Sequence, residues 1–218
     1  MTNFDLAQTD RLLTTTKQVR KRLDLSRPVP VDLVLECIQL ASAAPVGGNM
    51  ESNRWLIVDD PDLKTALAVT YAQTGARYLA DAASKSLATG RQAKVVDSGQ
   101  YLIEHLAEVP LLLLALRLGR VSTMSTFEMA TFFGSVLPGV WSFQLAARSR
   151  GLGSCWTTFH LGAESEVAVL LGVPPEVTQV ALLPVAYYVG GTFEPAPRRR
   201  AAEVTYLNHW KHPVDVTG

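Results

Sequence analysis

An α+β fold is the class this sequence predicts, and three observations carry the prediction. Apolar residues recur at helical spacing through much of the chain, as in Val31, Val34, Leu35, Ile38 and Ala41. Only about three short apolar runs read as strands. Helices and strands follow in an irregular order, without the strict alternation of a parallel α/β sheet. No internal repeat or low-complexity linker divides the sequence, so residues 1–218 read as one domain.

The elements follow in order. Residues 5–16 read as a first helix, followed by the basic stretch Lys17-Gln18-Val19-Arg20-Lys21-Arg22 and by Pro28-Val29-Pro30. A second helix starts after Pro30 and must end near Pro45, because the residue before a proline avoids the helical region. Gly47-Gly48-Asn49 is a loop whose backbone can approach a ligand closely. Residues 55–58 read as a strand. Asp60 and Pro61 then form a helix start, cap followed by first-turn proline, for a helix running toward Ala83. Another helix is predicted over 92–107 and a strand over 110–118. Residues 119–128 show no period and read as a mobile loop. A single helix is expected over 132–150 despite Gly134 and Pro138, with Gly151 as its C-terminal cap. Residues 152–159 lead into a short loop, 164–171 form a helix ending at Gly172, and 180–189 form a strand. Pro184 predicts a bulge or an edge position in that strand.

Composition excludes several functions. The chain has 218 residues, 48% hydrophobic and 18% charged, with 20 basic against 20 acidic side chains. Intrinsic disorder needs the opposite balance, and a general nucleic-acid binder needs a basic surplus. The most apolar run, 109–118, is too short to span a bilayer and contains Arg117. The polar N-terminus lacks a signal pattern, so the expectation is a soluble cytoplasmic protein with neither nucleic-acid nor membrane partners. A mean hydropathy of +0.14 is high for a monomer and hints at apolar surface covered by a partner.

Several familiar sites are missing. There is no GxGxxG after a strand, no GxxxxGK[ST] and no GxSxG. His105, His160, His209 and His212 have no metal-ligand spacing, so no metal is expected. Cys37 and Cys155 read as small buried hydrophobes. Four segments remain: 17–22, 44–49, 151–158 and 198–200. Taken singly, they read as solvated charge runs, a helix-terminating loop and a helix cap with a buried strand. Together, two basic clusters could meet around a phosphate, and two glycine loops could offer amides to a flat heterocycle.

In that combination the chain resembles the FMN-dependent nitroreductase family. Thr16-Lys17-Gln18-Val19-Arg20 looks like the family's opening Arg-Arg-Ser-Val-Arg motif. Ala44 to Glu51 resembles its Ala-Pro-Ser-x-x-Asn-x-Gln loop, and Gly151 to Trp156 its Gly-Leu-Gly-Ser/Thr-x-Trp segment. Leu171-Gly172-Val173-Pro174 and Arg198-Arg199-Arg200 complete the order.

The resemblance implies an α/β sandwich, a central mixed sheet flanked by helices, and an intertwined homodimer with FMN at the subunit interfaces. It implies ping-pong chemistry in which NAD(P)H reduces the flavin and a nitroaromatic, quinone or similar oxidant replaces it. Carried over, Thr16, Lys17, Gln18 and Arg20 would hold the phosphate, ribityl chain or pyrimidine edge. Pro45, Val46, Asn49 and Glu51 would line the flavin from the other subunit. Trp156, Thr157 and Thr158 would sit beside the ring, with a backbone amide near N5. Arg199, with Arg200, would bind the phosphate. No side chain need act as nucleophile, Cys155 included.

Some positions depart from the family pattern. Thr16 and Gln18 replace an arginine and a serine, Val46 a serine, and Glu51 a glutamine. A Glu51 charge facing the flavin would oppose its anionic reduced form, unless it pairs with Arg54 or points away. Another flavin reaction on the same fold, or flavin storage or sensing, stays open. Tyr71 and Tyr78 either reach a pocket or simply pack, and residues 119–128 are a lid or a surface connection.

Overall fold

Four strands build one sheet in the order β1-β2-β4-β3: Asn53–Val58 (β1), Leu111–Leu118 (β2), Leu152–Ser154 (β3) and Val177–Tyr187 (β4). The computed structural model describes residues 4–85 and 91–214. All three neighbouring pairs are antiparallel. The expected mixed sheet is thus antiparallel in its named strands, and among the described residues parallel pairing is confined to the isolated bridges Gln18–Ser154 and Gly119–Val177. Between β1 and β2 run two long helices, α3 (Pro61–Lys85) and α4 (Arg91–His105). An even number of long passes brings the chain back antiparallel, whereas a single crossover helix gives parallel strands.

β2 lies in the middle, and residues 111–117 are all buried. Leu111, Leu113 and Ala115 pack with Val34 and Cys37 of α2 (Val31–Ala41) and with Val140, Phe143 and Ala147 of α6 (Leu137–Ser149). Leu112, Leu114 and Leu116 point to the opposite face and are equally buried. Each fully buried Leu or Val contributes about 1.5–3 kcal/mol of transfer free energy.

β4 lies between β2 and β3, so the edge position suggested by Pro184 does not hold. The strand's irregularity falls instead opposite Ala115 and Leu116, whose partners are Ala181 and Gln179. Pro184 is tolerated because Leu182 exchanges both main-chain bonds with Thr157. Two residues on, Pro184 faces the same side, where the chain between Ser154 and Thr157 leaves the ladder.

The expected helix 132–150 is two helices, α5 (Thr126–Gly134) and α6, and the loop expected over 119–128 ends where α5 begins. Pro138 explains the break: it lacks an N–H, and its ring crowds the carbonyl of Gly134. The start of α5 is fixed by a capping box, in which Ser125 Oγ accepts from Glu128 N–H and the Glu128 carboxylate accepts from Ser125 N–H. The helix 164–171 is α7 (Glu164–Leu171), closed by Gly172 in the left-handed conformation.

Two compact units are present. Residues 16–191 contain the whole sheet and helices α2 to α7. Residues 1–15 with 192–218 form the other, with α1 (Leu6–Thr15) and the short α8 (Ala201–Val204). There the Tyr206 ring meets Trp210 edge-on at 4.7 Å.

Candidate functional site

The basic segment and the glycine segment meet at β3. Val19 N–H donates to the Ser154 carbonyl at 2.8 Å. A Cβ on Gly153 would come within 3.1 Å of Val19, so glycine lets the two segments approach without displacing that side chain. Gln18 braces the junction: its Oε1 accepts from Trp156 N–H at 2.5 Å and from Gln144 Nε2 at 3.2 Å. Gln144, itself 1% exposed, also donates to Ser154 Oγ at 3.1 Å. Gln18 thus spends its amide on the protein and fixes the direction in which residues 155–158 leave the sheet.

Those residues border a cavity of about 410 Å³, whose lining includes Arg20, Tyr71, Tyr78, Trp156, Thr157 and Thr158. Arg20 and Lys17 are half-buried, and neither makes an ion pair among the described residues. Of the three amides in 156–158, Trp156 N–H is taken by Gln18 and Thr157 N–H by the Leu182 carbonyl, while Thr158 N–H donates to no described group. Phe159 forms an aromatic wall between Tyr71 and Tyr78, with ring centroids 5.2 and 5.4 Å away. The Tyr71 and Thr157 hydroxyls lie 2.6 Å apart. Cys155 is fully buried, and burial pushes its thiol up to about 11 against the lowering influence of Arg20. A thiol that stays protonated at neutral pH is a poor nucleophile.

The second loop lines a different cavity, of about 600 Å³, with Pro45, Val46, Asn49, Glu51 and Arg54 in its wall. Gly48 and Asn49 have φ of +62° and +53°, a turn that favours glycine and asparagine. The loop is tied down from behind. Gly47 N–H donates to Ser135 Oγ at 2.9 Å, Asn53 Nδ2 to the Ser135 carbonyl at 2.8 Å, and Arg117 Nη1 to Asn53 Oδ1 at 2.9 Å. Arg54 donates to the main-chain carbonyls of Glu51 and Asn53, at 2.9 and 2.8 Å, and not to the Glu51 carboxylate. That carboxylate is exposed and has no ion-pair partner among the described residues.

The structure therefore brings Arg20, Trp156, Thr157 and Thr158 to one cavity and Pro45, Val46, Asn49 and Glu51 to another. Thr16 and Lys17 do not line the first. Arg199 and Arg200 belong to the other unit and are exposed, Arg200 pairing with Glu203 at 2.7 Å. No metal-binding cluster occurs among the described residues, and no helix there is long and apolar enough to cross a membrane. Gln144, Ser135 and Asn53 carry no sequence motif. Their partners lie far away in sequence, 126 residues for Gln18–Gln144 and 88 for Gly47–Ser135.

The family model for the nitroreductase family matches residues 17–187. Rat (Rattus norvegicus) iodotyrosine deiodinase 1 is 24% identical over 188 residues, or 82% of this chain, and the match spans 62% of the relative's length. A crystal structure of oxidized iodotyrosine deiodinase bound to FMN and 3-iodo-L-tyrosine superposes with a TM-score of 0.65 at 24% identity, covering 91% of this chain and 97% of that one. A BluB-like flavoprotein from Clostridium difficile 630 gives 0.67 at 16% identity, covering 95% and 100%. B. megaterium NfrA1 gives 0.69 at 18%, covering 94% and 75%.

Proposed function

The chain belongs to the nitroreductase family, and from that membership we propose that it is an FMN-dependent oxidoreductase that takes electrons from NAD(P)H and passes them to an electron-poor aromatic or quinone-like oxidant. The carrying observation is the 410 Å³ cavity, where a guanidinium with no ion-pair partner among the described residues, an unspent main-chain donor and an aromatic wall converge. These groups fit FMN. Its phosphate and pyrimidine edge call for cations and N–H donors, and its ring calls for flat apolar walls. When bound, FMN supplies the hydride chemistry, and the protein supplies position and electrostatics.

Arg20, in the cavity lining, would supply positive charge to a reduced, anionic ring. Lys17 adds a second cation on the same segment. Thr158 N–H is the main-chain donor available to the ring, since its two neighbours are already engaged. Gln18 holds Trp156 and so aims that donor.

The division of the family's residues between two cavities supports a homodimer in which Pro45, Val46, Asn49 and Glu51 of one copy serve the ring held by the other. Exposed apolar residues are consistent with that arrangement: Val31, Leu35 and Leu40 on α2, and Phe127 and Met129 on α5. The related deiodinase shows that the same fold carries another flavin reaction.

The test is FMN titration of the apoprotein. Arg20→Ala should weaken binding about ten- to hundredfold, the cost of a charge-assisted hydrogen bond. Arg199→Ala, titrated separately, tests the phosphate role expected of that segment. Unchanged FMN affinity in Arg20→Ala would remove Arg20 from the site.

A further inference from the structure

Resting on the flavin reading above, we propose that Tyr71 is a positioning residue. It donates its phenolic proton to Thr157 and so turns the Thr157 hydroxyl proton toward the ligand in the 410 Å³ cavity. Proton accounting drives the assignment. Two hydroxyls meet at 2.6 Å, and neither has another partner among the described residues. One proton fills the contact and one is left over. Both residues border the cavity, but Tyr71 is 1% exposed against 8% for Thr157, so a leftover phenolic proton would be the more deeply buried of the two and without an acceptor. The phenol is also the stronger acid and the better donor, and the alkyl hydroxyl is the better acceptor. Burial raises the Tyr71 pKa well above the ordinary phenol value, so it remains a donor at any working pH. Donor strength and exposure together leave the unspent proton on Thr157, the more accessible of the two hydroxyl-bearing residues bordering the cavity.

Both ends of this contact are held. Thr157 exchanges main-chain bonds with Leu182 in both directions, at 3.0 and 2.9 Å. Tyr71 is wedged by the Phe159 ring, which approaches α3 only because Gly75 has no Cβ; one added there would lie 2.5 Å from that ring. A donor fixed in this way needs no reorganisation when electron density rises on the ring it faces, so it stabilises the reduced form of a bound flavin more than the oxidised form.

The test compares wild type with Tyr71→Phe, Thr157→Val, Thr157→Ser and the Tyr71→Phe/Thr157→Val double variant. It reads FMN affinity, the visible spectrum and midpoint potential of the bound flavin, and the melting of each apoprotein. Thr157→Ser should behave as wild type. Tyr71→Phe and Thr157→Val should each weaken FMN binding about threefold to tenfold and lower the midpoint potential. The double variant should be no worse than Thr157→Val alone, because the two act as one unit. Additive effects in the double variant, or wild-type affinity and potential in Tyr71→Phe, would overturn the proposal. A wild-type protein that takes up no FMN would overturn the flavin reading itself, and the proposal with it; that outcome is distinguishable because it appears before any variant is made.

Discussion

His160 is fully buried, and neither ring nitrogen has a hydrogen-bond partner among the described residues. Burial pushes its pKa down to about 4, against the opposing influence of the Glu164 carboxylate. Glu164 is itself held ionised by Arg120, whose guanidinium donates to both its oxygens at 2.7 and 2.8 Å. The ordinary histidine value is about 6.5, so protons bind the unfolded chain first as the pH drops. The protonation penalty of His160 is therefore absent above about pH 6.5, and stability falls by about 1.4 kcal/mol per pH unit from there toward pH 4. Urea melts of wild type and His160→Leu between pH 7 and pH 5 check this: the wild type should lose stability over that interval, and the variant should lose much less. At this scale the sequence was a partial guide. Motif order singles out Arg20, Trp156, Thr157 and Thr158, and the structure brings all four to one cavity. Gln18 was legible as a position but not as a brace, since its partner Gln144 lies 126 residues away and nothing local signals the pairing.

Among elements, the packing of α3 against the 3-10 turn Phe159–Ala163 decides the shape of the cavity wall. Two glycines allow it. A Cβ on Gly162 would lie 2.2 Å from Thr74, and one on Gly75 would meet Phe159 and Ile103. Overpacking of this kind costs about 1–3 kcal/mol, so Gly162→Ala should lower the melting midpoint and disturb the cavity. Gly134→Ala is the control, because nothing lies within 4 Å of its Cβ. Added helix propensity should leave that variant as stable as wild type or more so, and thermal melts of both decide the point. Periodicity and caps gave α2, α3 and α7 nearly to their ends, because a local rule fixes each boundary. Leu63 N–H donates to Asp60 Oδ1 at 2.9 Å, as the Asp60-Pro61 start requires. The Ser125–Glu128 spacing is an equally local signal, and it outweighs the lack of periodicity over 119–128. The central place of Pro184 was not legible, because its tolerance depends on where β3 ends, a fact about another segment.

Across the whole molecule, apolar faces and divided site residues point the same way. The sheet core is complete within residues 16–191, yet α2 keeps Leu35 and Leu40 about half exposed, at 49% and 50%. The homodimer proposed here accounts both for them and for the separation of the two cavities. The central claim is that the protein is a flavin-using reductase, and one measurement meets it most directly: the visible spectrum of the purified protein after incubation with FMN and removal of the excess, recorded before and after anaerobic addition of NADPH and then NADH. The account predicts a bound-flavin spectrum that bleaches with at least one of the two nucleotides. A flavin spectrum that neither nucleotide bleaches would contradict the reductase, and a protein that retains no flavin would contradict the site itself.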